Sequence, residues 1–388
     1  MTKTTGSPVS PRSGGAPVLD TRALNRATLD RQLLLRRSRD LSVKDAVSHL
    51  VGLQAQNVKP PYHALAARLA DFDPAELSAL LEARELVRMV TMRSTIHLHT
   101  AEDALTLRPF VQDALERELA GFRHGLAGVD LPALAAFARA AVEAEPRTMR
   151  QLREALLVRW PDADPQSLAV AARCLLPLVQ VTPRGLWRRS GQVALTTVEQ
   201  WLGGAARPPG AAVPPRPDAV VLRYLAAFGP ASVKDMQTWA RLTRLREVFE
   251  RLRPRLRAFR DANGVELFDL PDAPRPPADT PAPPRFLPEF DNLLLSHADR
   301  ARVIPPEHKG RTWKGNVSYC AFLVDGFLAG VWRLEEDPRG GVAVLTIEPF
   351  GRLSRGERDA LTDEAEVMLA RVAEASSAYD IRFGTVIA

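Results

Sequence analysis

The sequence predicts a helix-rich α+β chain in which one unit, a pair of helices closed by a short hairpin, recurs three times before a β-rich end. Three observations carry this expectation. Apolar residues at helical spacing alternate along the chain with short β-branched and aromatic runs. Residues able to cap helices, Ser42, Thr148 and Ser232, stand at comparable points of the three segments. The length of 388 residues exceeds one ordinary domain, and a hydrophobic content of 46% supplies a large core.

Residues 1–20 are rich in Ser, Pro, Gly and Thr and read as a disordered tail. The first unit is expected over 21–130. A helix over 24–36 is followed by one capped by Ser42, with Asp45 as the capping-box acid and Val43, Ala46, Val47, Leu50 and Val51 on its apolar face. A further helix over 75–83 follows Asp73-Pro74. Residues 86–92 and 95–99 then read as two strands around Arg93-Ser94.

The second unit is expected over 131–204. Thr148 and Gln151 form a capping box for a helix stopped by Pro161, and a second helix covers 166–176. Residues 179–182, 186–189 and 193–195 read as strands. Residues 205–218 are rich in Gly and Pro and read as a linker.

The third unit, 219–275, is the clearest. A helix over 220–228 breaks at Gly229-Pro230, Ser232 caps a second through Trp239, and a third covers 244–252. Strands over 256–260 and 265–270 flank Asp261-Ala262-Asn263-Gly264, whose Asn-Gly pair marks a hairpin. Helix-turn-helix plus terminal hairpin is a winged helix. In the last part, 285–388, a hairpin over 319–332 turns at Asp325-Gly326. A strand over 342–347 and a helix over 355–373 complete a small β-rich domain with a covering helix.

Composition narrows the function. Net charge is +6 and 46 of the 52 basic residues are Arg, which fits a polyanionic partner. Cys174 and Cys320 lie inside apolar runs and read as buried free thiols. Neither a secretory leader nor a membrane-length apolar run is seen, so a soluble, cytoplasmic, nucleoid-associated monomer is expected, with no cofactor and no metal. No G-x-S-x-G, Walker loop, Rossmann glycine run or H-E-x-x-H occurs, which argues against the commonest hydrolase and nucleotide-binding classes.

Three stretches hold candidate site residues. In Gly52-Leu53-Gln54-Ala55-Gln56-Asn57, three carboxamides follow an apolar helix face, and Gln54 is expected to prolong that face inwards. Taken alone, such amides cap a helix end and stitch the following loop. In Arg93-Ser94-Thr95-Ile96-His97-Leu98-His99, a strand would place Arg93, Thr95, His97 and His99 on one face, suited to phosphate or simply solvated. The stretch from Leu287 to Arg300 includes Glu289, Asp291 and Asn292. A basic stretch with Arg302, His308, Lys309, Arg311, Trp313 and Lys314 follows it and suits a nucleic-acid path, while Arg333 and Arg339 could enter a groove.

The ordered set of Gly52-Leu53-Gln54-Ala55-Gln56 with Pro60-Pro61-Tyr62, Arg93-Ser94-Thr95-Ile96-His97-Leu98, Ala227-Phe228-Gly229-Pro230-Ala231-Ser232 with Asp235 and Trp239, Phe290-Asp291-Asn292-Leu293-Leu294-Leu295-Ser296-His297, and Phe322-Leu323-Val324-Asp325-Gly326 with Gly330-Val331-Trp332-Arg333 resembles the winged-helix DNA glycosylases of the AlkZ and YcaQ type. The resemblance spans residues 22–350. It implies three tandem winged helices in a C shape with a β-rich C-terminal part. It also implies cleavage of the N-glycosidic bond of N7-alkylated purines in double-stranded DNA. Gln54-Ala55-Gln56 matches the Gln-x-Gln of the AlkZ-like branch, linked to unhooking of azinomycin-type or nitrogen-mustard crosslinks, where YcaQ-like members carry Gln-x-Asp.

On this resemblance Gln54 and Gln56 are the catalytic pair and Asn57, Asp291 and Asn292 support them. Arg93, His97, His99, Arg311, Lys314, Arg333 and Arg339 are expected to contact DNA, with a probing hairpin around 333–341. The competing expectations are a winged-helix transcription regulator without catalysis, which would bind undamaged promoter DNA, and a non-catalytic binder of a toxic ligand or damaged DNA.

Overall fold

The computed structural model describes residues 16–203 and 217–385, apart from residues 316, 338 and 340. It is 44% helix and 20% strand, a mixed α+β protein as the sequence predicts. Among the described residues no helix is long and apolar enough to cross a membrane.

The strands of the first two expected units are not separate hairpins. They join in one six-stranded antiparallel sheet. Leu86–Val90 pairs on one side with Ile96–Thr100 and on the other with Leu178–Gln180, where Arg88 faces Gln180 and Met89 faces Val179. The two-residue strand Leu53–Gln54 closes one edge against Ile96–Thr100. The expected strand over 186–189 does not form. Its backbone turns instead: Arg188 is left-handed at φ 53°, the Leu186 amide donates to the Pro183 carbonyl at 3.2 Å, the Arg189 amide to the Leu186 carbonyl at 3.3 Å, and the Trp187 amide to Ser78 Oγ of the first unit at 3.0 Å.

The capping boxes of Thr148 with Gln151 and of Ser232 with Asp235 are both present, opening helices Met149–Arg159 and Val233–Ala240. Ser42 caps Val43–His49 as expected, but Asp45 bonds the Ser42 hydroxyl rather than its amide. The first helix is Thr21–Arg31, shorter than expected because Leu33 turns left-handed at φ 58°. Helices Ala101–Phe110, Gln112–Ala120 and Leu131–Ala144, absent from the sequence reading, connect the first sheet strands to the rest.

Helices Pro217–Phe228, Val233–Ala240 and Arg246–Leu252 lead into the hairpin Arg257–Asp261 and Glu266–Asp269. The expected tail and linker are both corrected at one end. Val18–Leu19 adds a parallel strand to that hairpin, and Pro217 and Asp218 already belong to a helix. The remainder of both segments, 1–15 and 205–216, lies outside the described residues.

The C-terminal sheet runs Arg285–Leu287, Cys320–Val324, Phe327–Glu336, Val342–Pro349 and Ala378–Phe383. Its last pair is parallel, so helix Arg355–Val372 serves as the crossover and covers one face. Leu361, Ala365, Met368 and Leu369 of that helix share a buried cluster with Phe286, Phe322 and Trp332, and with Val47, Leu50, Leu53 and Tyr62 of the first unit. The C-terminal sheet and the segment leading into Gln54-Ala55-Gln56 are therefore halves of one core. Burying large side chains on both sides stabilises that junction by roughly 1.5–3 kcal/mol each.

Candidate active site

Helix Val43–His49 cannot continue beyond Leu50, because Val51 and Gly52 turn left-handed at φ 56° and 91°. A Cβ at Gly52 would lie 2.3 Å from the His99 ring, so the position requires glycine for space as well as for its dihedral. The chain leaves this turn as a strand in which Gln54 lies opposite His97. Gln54 is thus inward-facing and 7% exposed, as expected, but on a strand edge rather than on a prolonged helix face.

Gln54 Oε1 accepts a hydrogen bond from Arg93 Nη2 at 2.8 Å. Arg93 reaches it from the tight connection Met92–Ser94, where Arg93 and Ser94 are both left-handed at φ 55° and 58°. It is therefore not on a strand face with His97, as the sequence predicts, but folded back over that face. Its Nη1 donates to the Trp239 carbonyl at 3.1 Å, and its Nη2 stands 3.3 Å from His97 Nε2. No carboxylate bridges Arg93 among the described residues. Burial, with Arg300 adding to it, pulls its guanidinium down to about 10. With the carbonyl end of Gln54 held by a cation, its amide nitrogen is the end left without a partner among the described residues.

Gln56 is exposed and its Oε1 accepts from the Ile96 amide at 3.3 Å. Between the two glutamines Ala55 is buried, its amide bonded to the Ile96 carbonyl at 2.7 Å. Arg88 Nη2 ties down the carbonyls of Ala55 at 2.7 Å and Asn57 at 3.3 Å. Asn57 is exposed, and its Nδ2 donates to Glu289 Oε1 at 2.5 Å. The other two residues expected to support the pair bond the Gly52 backbone and Arg68. Asn292 Nδ2 donates to the Gly52 carbonyl at 2.6 Å. Asp291 caps the short helix Asn292–Leu295 and takes both terminal nitrogens of Arg68 at 2.8 Å, in a pair whose side chains are fully buried.

His97 and His99 are 1% and 0% exposed, so the expectation that they contact phosphate is corrected. Their rings stack at 5.7 Å. His97 Nδ1 stands 3.0 Å from the Thr95 carbonyl and His99 Nε2 2.8 Å from Thr91 Oγ1. Burial holds His97 well below the ordinary imidazole range, with Arg93 and His99 adding to it, and pulls His99 down to about 4. Both are neutral packing groups near pH 7.

The remaining basic candidates make no hydrogen bond to this cluster among the described residues. Arg311 is exposed, with its guanidinium 4.2 Å above the Phe350 ring. Lys314 is exposed on the small hairpin of Trp313–Lys314 with Val317–Ser318. That hairpin leans on the site, since Trp313 packs edge-on against Phe290 at 5.3 Å, next to Glu289. Arg333 is not at a hairpin tip. It lies within the strand Phe327–Glu336, bridged to Glu348 at 3.0 Å and Glu335 at 3.1 Å. Arg339 is exposed in the turn that follows, beside residues outside the described set.

Sequence reasoning missed the surroundings of the Arg93-Ser94 turn. Arg173 Nη1 and Arg241 Nη1 reach Ser94 at 3.4 Å from the second and third expected units. Nothing but the abundance of Arg signals them in the sequence, because each is distant along the chain. It also assigned no role to Glu289.

A family model described as DNA glycosylase AlkZ-like matches residues 47–371. Among solved structures, the Streptomyces sahachiroi DNA glycosylase AlkZ is similar to this chain at 21% identity with a TM-score of 0.76, over 95% of this chain and 100% of that one. That likeness is one of fold. Among curated proteins nothing matches.

Proposed function

Because the chain belongs to the AlkZ-like DNA glycosylase family, we propose that it releases N7-alkylated purines from double-stranded DNA, with Gln54 and Gln56 placing the attacking water. An N7-alkylguanine is already cationic, so its departure needs little help from an acid. What remains is to hold a water near C1′ and to tolerate oxocarbenium-like charge there. A carboxamide is not an effective base near pH 7, but it donates and accepts hydrogen bonds, and positioning alone can supply a large part of a barrier.

The observation that carries this reading is the bond from Arg93 Nη2 to Gln54 Oε1 at 2.8 Å. It decides which end of the amide is committed to the protein. Arg93 is accordingly assigned to positioning Gln54 rather than to phosphate, and Asp291 and Asn292 to fixing the strand from below. Arg311, Lys314 and Arg339 are assigned to the DNA backbone, with Arg333 orienting the strand that carries the turn. The recurring helix pairs and hairpins are read as three winged-helix units, acting in a monomer. A partly open site, with Gln56 at its exposed rim, also suits bulky adducts and interstrand crosslinks better than a closed pocket for a flipped base would.

The test is incubation with duplex DNA bearing N7-methylguanine, and separately with a nitrogen-mustard crosslink. Free alkylguanine and unhooked strands support the reading. Sequence-specific binding to undamaged DNA without base release would favour a regulator instead.

A further inference from the structure

We propose that Glu289 is the general base for the water held by Gln54 and Gln56; the proposal rests on the reading of that segment as the reaction site. The two glutamines lack a group that can take a proton, and the adjoining structure supplies one. Glu289 Oε1 accepts from Asn57 Nδ2 at 2.5 Å, across 232 residues of sequence. This is the carboxylate bonded to the segment Gln54-Ala55-Gln56-Asn57 among the described residues.

Its neighbours are otherwise engaged. Asp291 is consumed by the buried pair with Arg68. Glu336 is bridged to Lys59 at 2.8 Å and to Arg188 at 2.6 Å. Glu289 forms no ion pair among the described residues, so its charge is not already neutralised. A charge left free beside a site that must bear a developing cation is placed where it lowers the barrier.

The backbone around Glu289 is held at three successive residues. Phe290 is left-handed at φ 60° and packs against Trp313. Asp291 is tied to Arg68, and Asn292 holds the Gly52 carbonyl at 2.6 Å. The stretch from Glu289 to Asn292 therefore grips both ends of the segment from Gly52 to Asn57, with Glu289 at the Asn57 end, one residue along the chain from Gln56.

The step balances as follows. The C1′–N9 bond breaks and its electron pair passes to N9, which neutralises the N7-alkylated base as it leaves. The water oxygen forms the new bond to C1′ and gives one proton to the Glu289 carboxylate, which later releases it to solvent. The products are the free alkylpurine and an abasic sugar bearing the C1′ hydroxyl.

E289Q keeps an acceptor for Asn57 but cannot take the proton. Single-turnover release of N7-methylguanine by E289Q should fall about 100-fold or more, with DNA affinity and Tm unchanged. E289A should regain part of its lost rate when formate is added, which a structural role for the side chain would not produce. Release by E289Q at the wild-type rate would overturn the proposal. So would a loss of rate matched by loss of DNA affinity and of Tm, without rescue by formate. A wild-type chain that releases no alkylpurine overturns the underlying reading instead, and is told apart by the wild-type control alone.

Discussion

Asn292 Nδ2 donates to the carbonyl of Gly52 at 2.6 Å, joining two residues 240 positions apart. The bond pins the C-terminal part of the chain to the left-handed turn from which Gln54 emerges. Its neighbour Asp291 anchors the same loop through Arg68. The position of the catalytic candidates is thus a property of the whole chain rather than of the motif.

Removing one member of that buried pair leaves a charge without a partner. Asp291→Asn is nearly isosteric and keeps the volume, yet it strands the Arg68 guanidinium in the core. A loss of about 3–5 kcal/mol is expected, seen as a lower urea midpoint with an unchanged m-value.

Gly52→Ala places a methyl group 2.3 Å from the His99 ring at a φ of 91°. The strain and the clash add. Destabilisation of more than about 1 kcal/mol is expected, together with slower base release as strand Leu53–Gln54 shifts. Circular dichroism melts and single-turnover assays on the same preparation measure both.

These positions show how far the sequence was legible. Local signals survived folding: the capping box of Thr148, the cap at Ser232, the helix-turn-helix after Pro217, and the Asp325-Gly326 turn, whose residues are left-handed at φ 48° and 81°. They depend on residues a few positions apart. What failed was non-local. No periodicity announces that Leu86–Val90 pairs with Leu178–Gln180, or that Glu289 meets Asn57. The strand expected over 186–189 had suitable residues, but local turn bonds and Ser78 claimed its backbone. His97 and His99 read as a polar face because an imidazole's burial is invisible in a sequence.

Four buried histidines make stability sensitive to acid. Burial lowers His63 and His297 to about 3, His99 to about 4, and His97 well below its usual range. The unfolded chain takes up these protons near pH 6.5 while the folded chain does not, so stability is full above that pH and declines as the pH falls towards 4. Each such histidine contributes a slope of up to about 1.4 kcal/mol per pH unit. His63 Nε2 has no hydrogen-bond partner, so His63→Leu should keep the fold and reduce the slope by about that amount. Urea titrations at stepped pH provide the check.

Arg93→Lys keeps the charge but cannot reach Gln54 and the Trp239 carbonyl in the same fork-like geometry. A hydrogen bond to a charged group contributes about 1.5–3 kcal/mol. If that difference is felt in placing Gln54, base release slows roughly 10- to 100-fold with DNA affinity retained.

Arg311→Ala and Lys314→Ala, at exposed positions, should weaken DNA binding across sequences alike. Each should also reduce the slope of log affinity against log salt by about one. Fluorescence anisotropy over a salt series reads this directly.

Gln54 and Gln56 are proposed to place the water that displaces the alkylated base. Single-turnover release of N7-methylguanine from duplex DNA, compared between the wild-type chain, Gln54→Ala and Gln56→Ala, tests this most directly. Both variants are predicted to fold and bind DNA, Gln54→Ala with a lower Tm because Arg93 loses a buried partner, yet to release base about 100-fold more slowly or worse than the wild type. Folded, DNA-binding variants that release base at the wild-type rate would contradict the account.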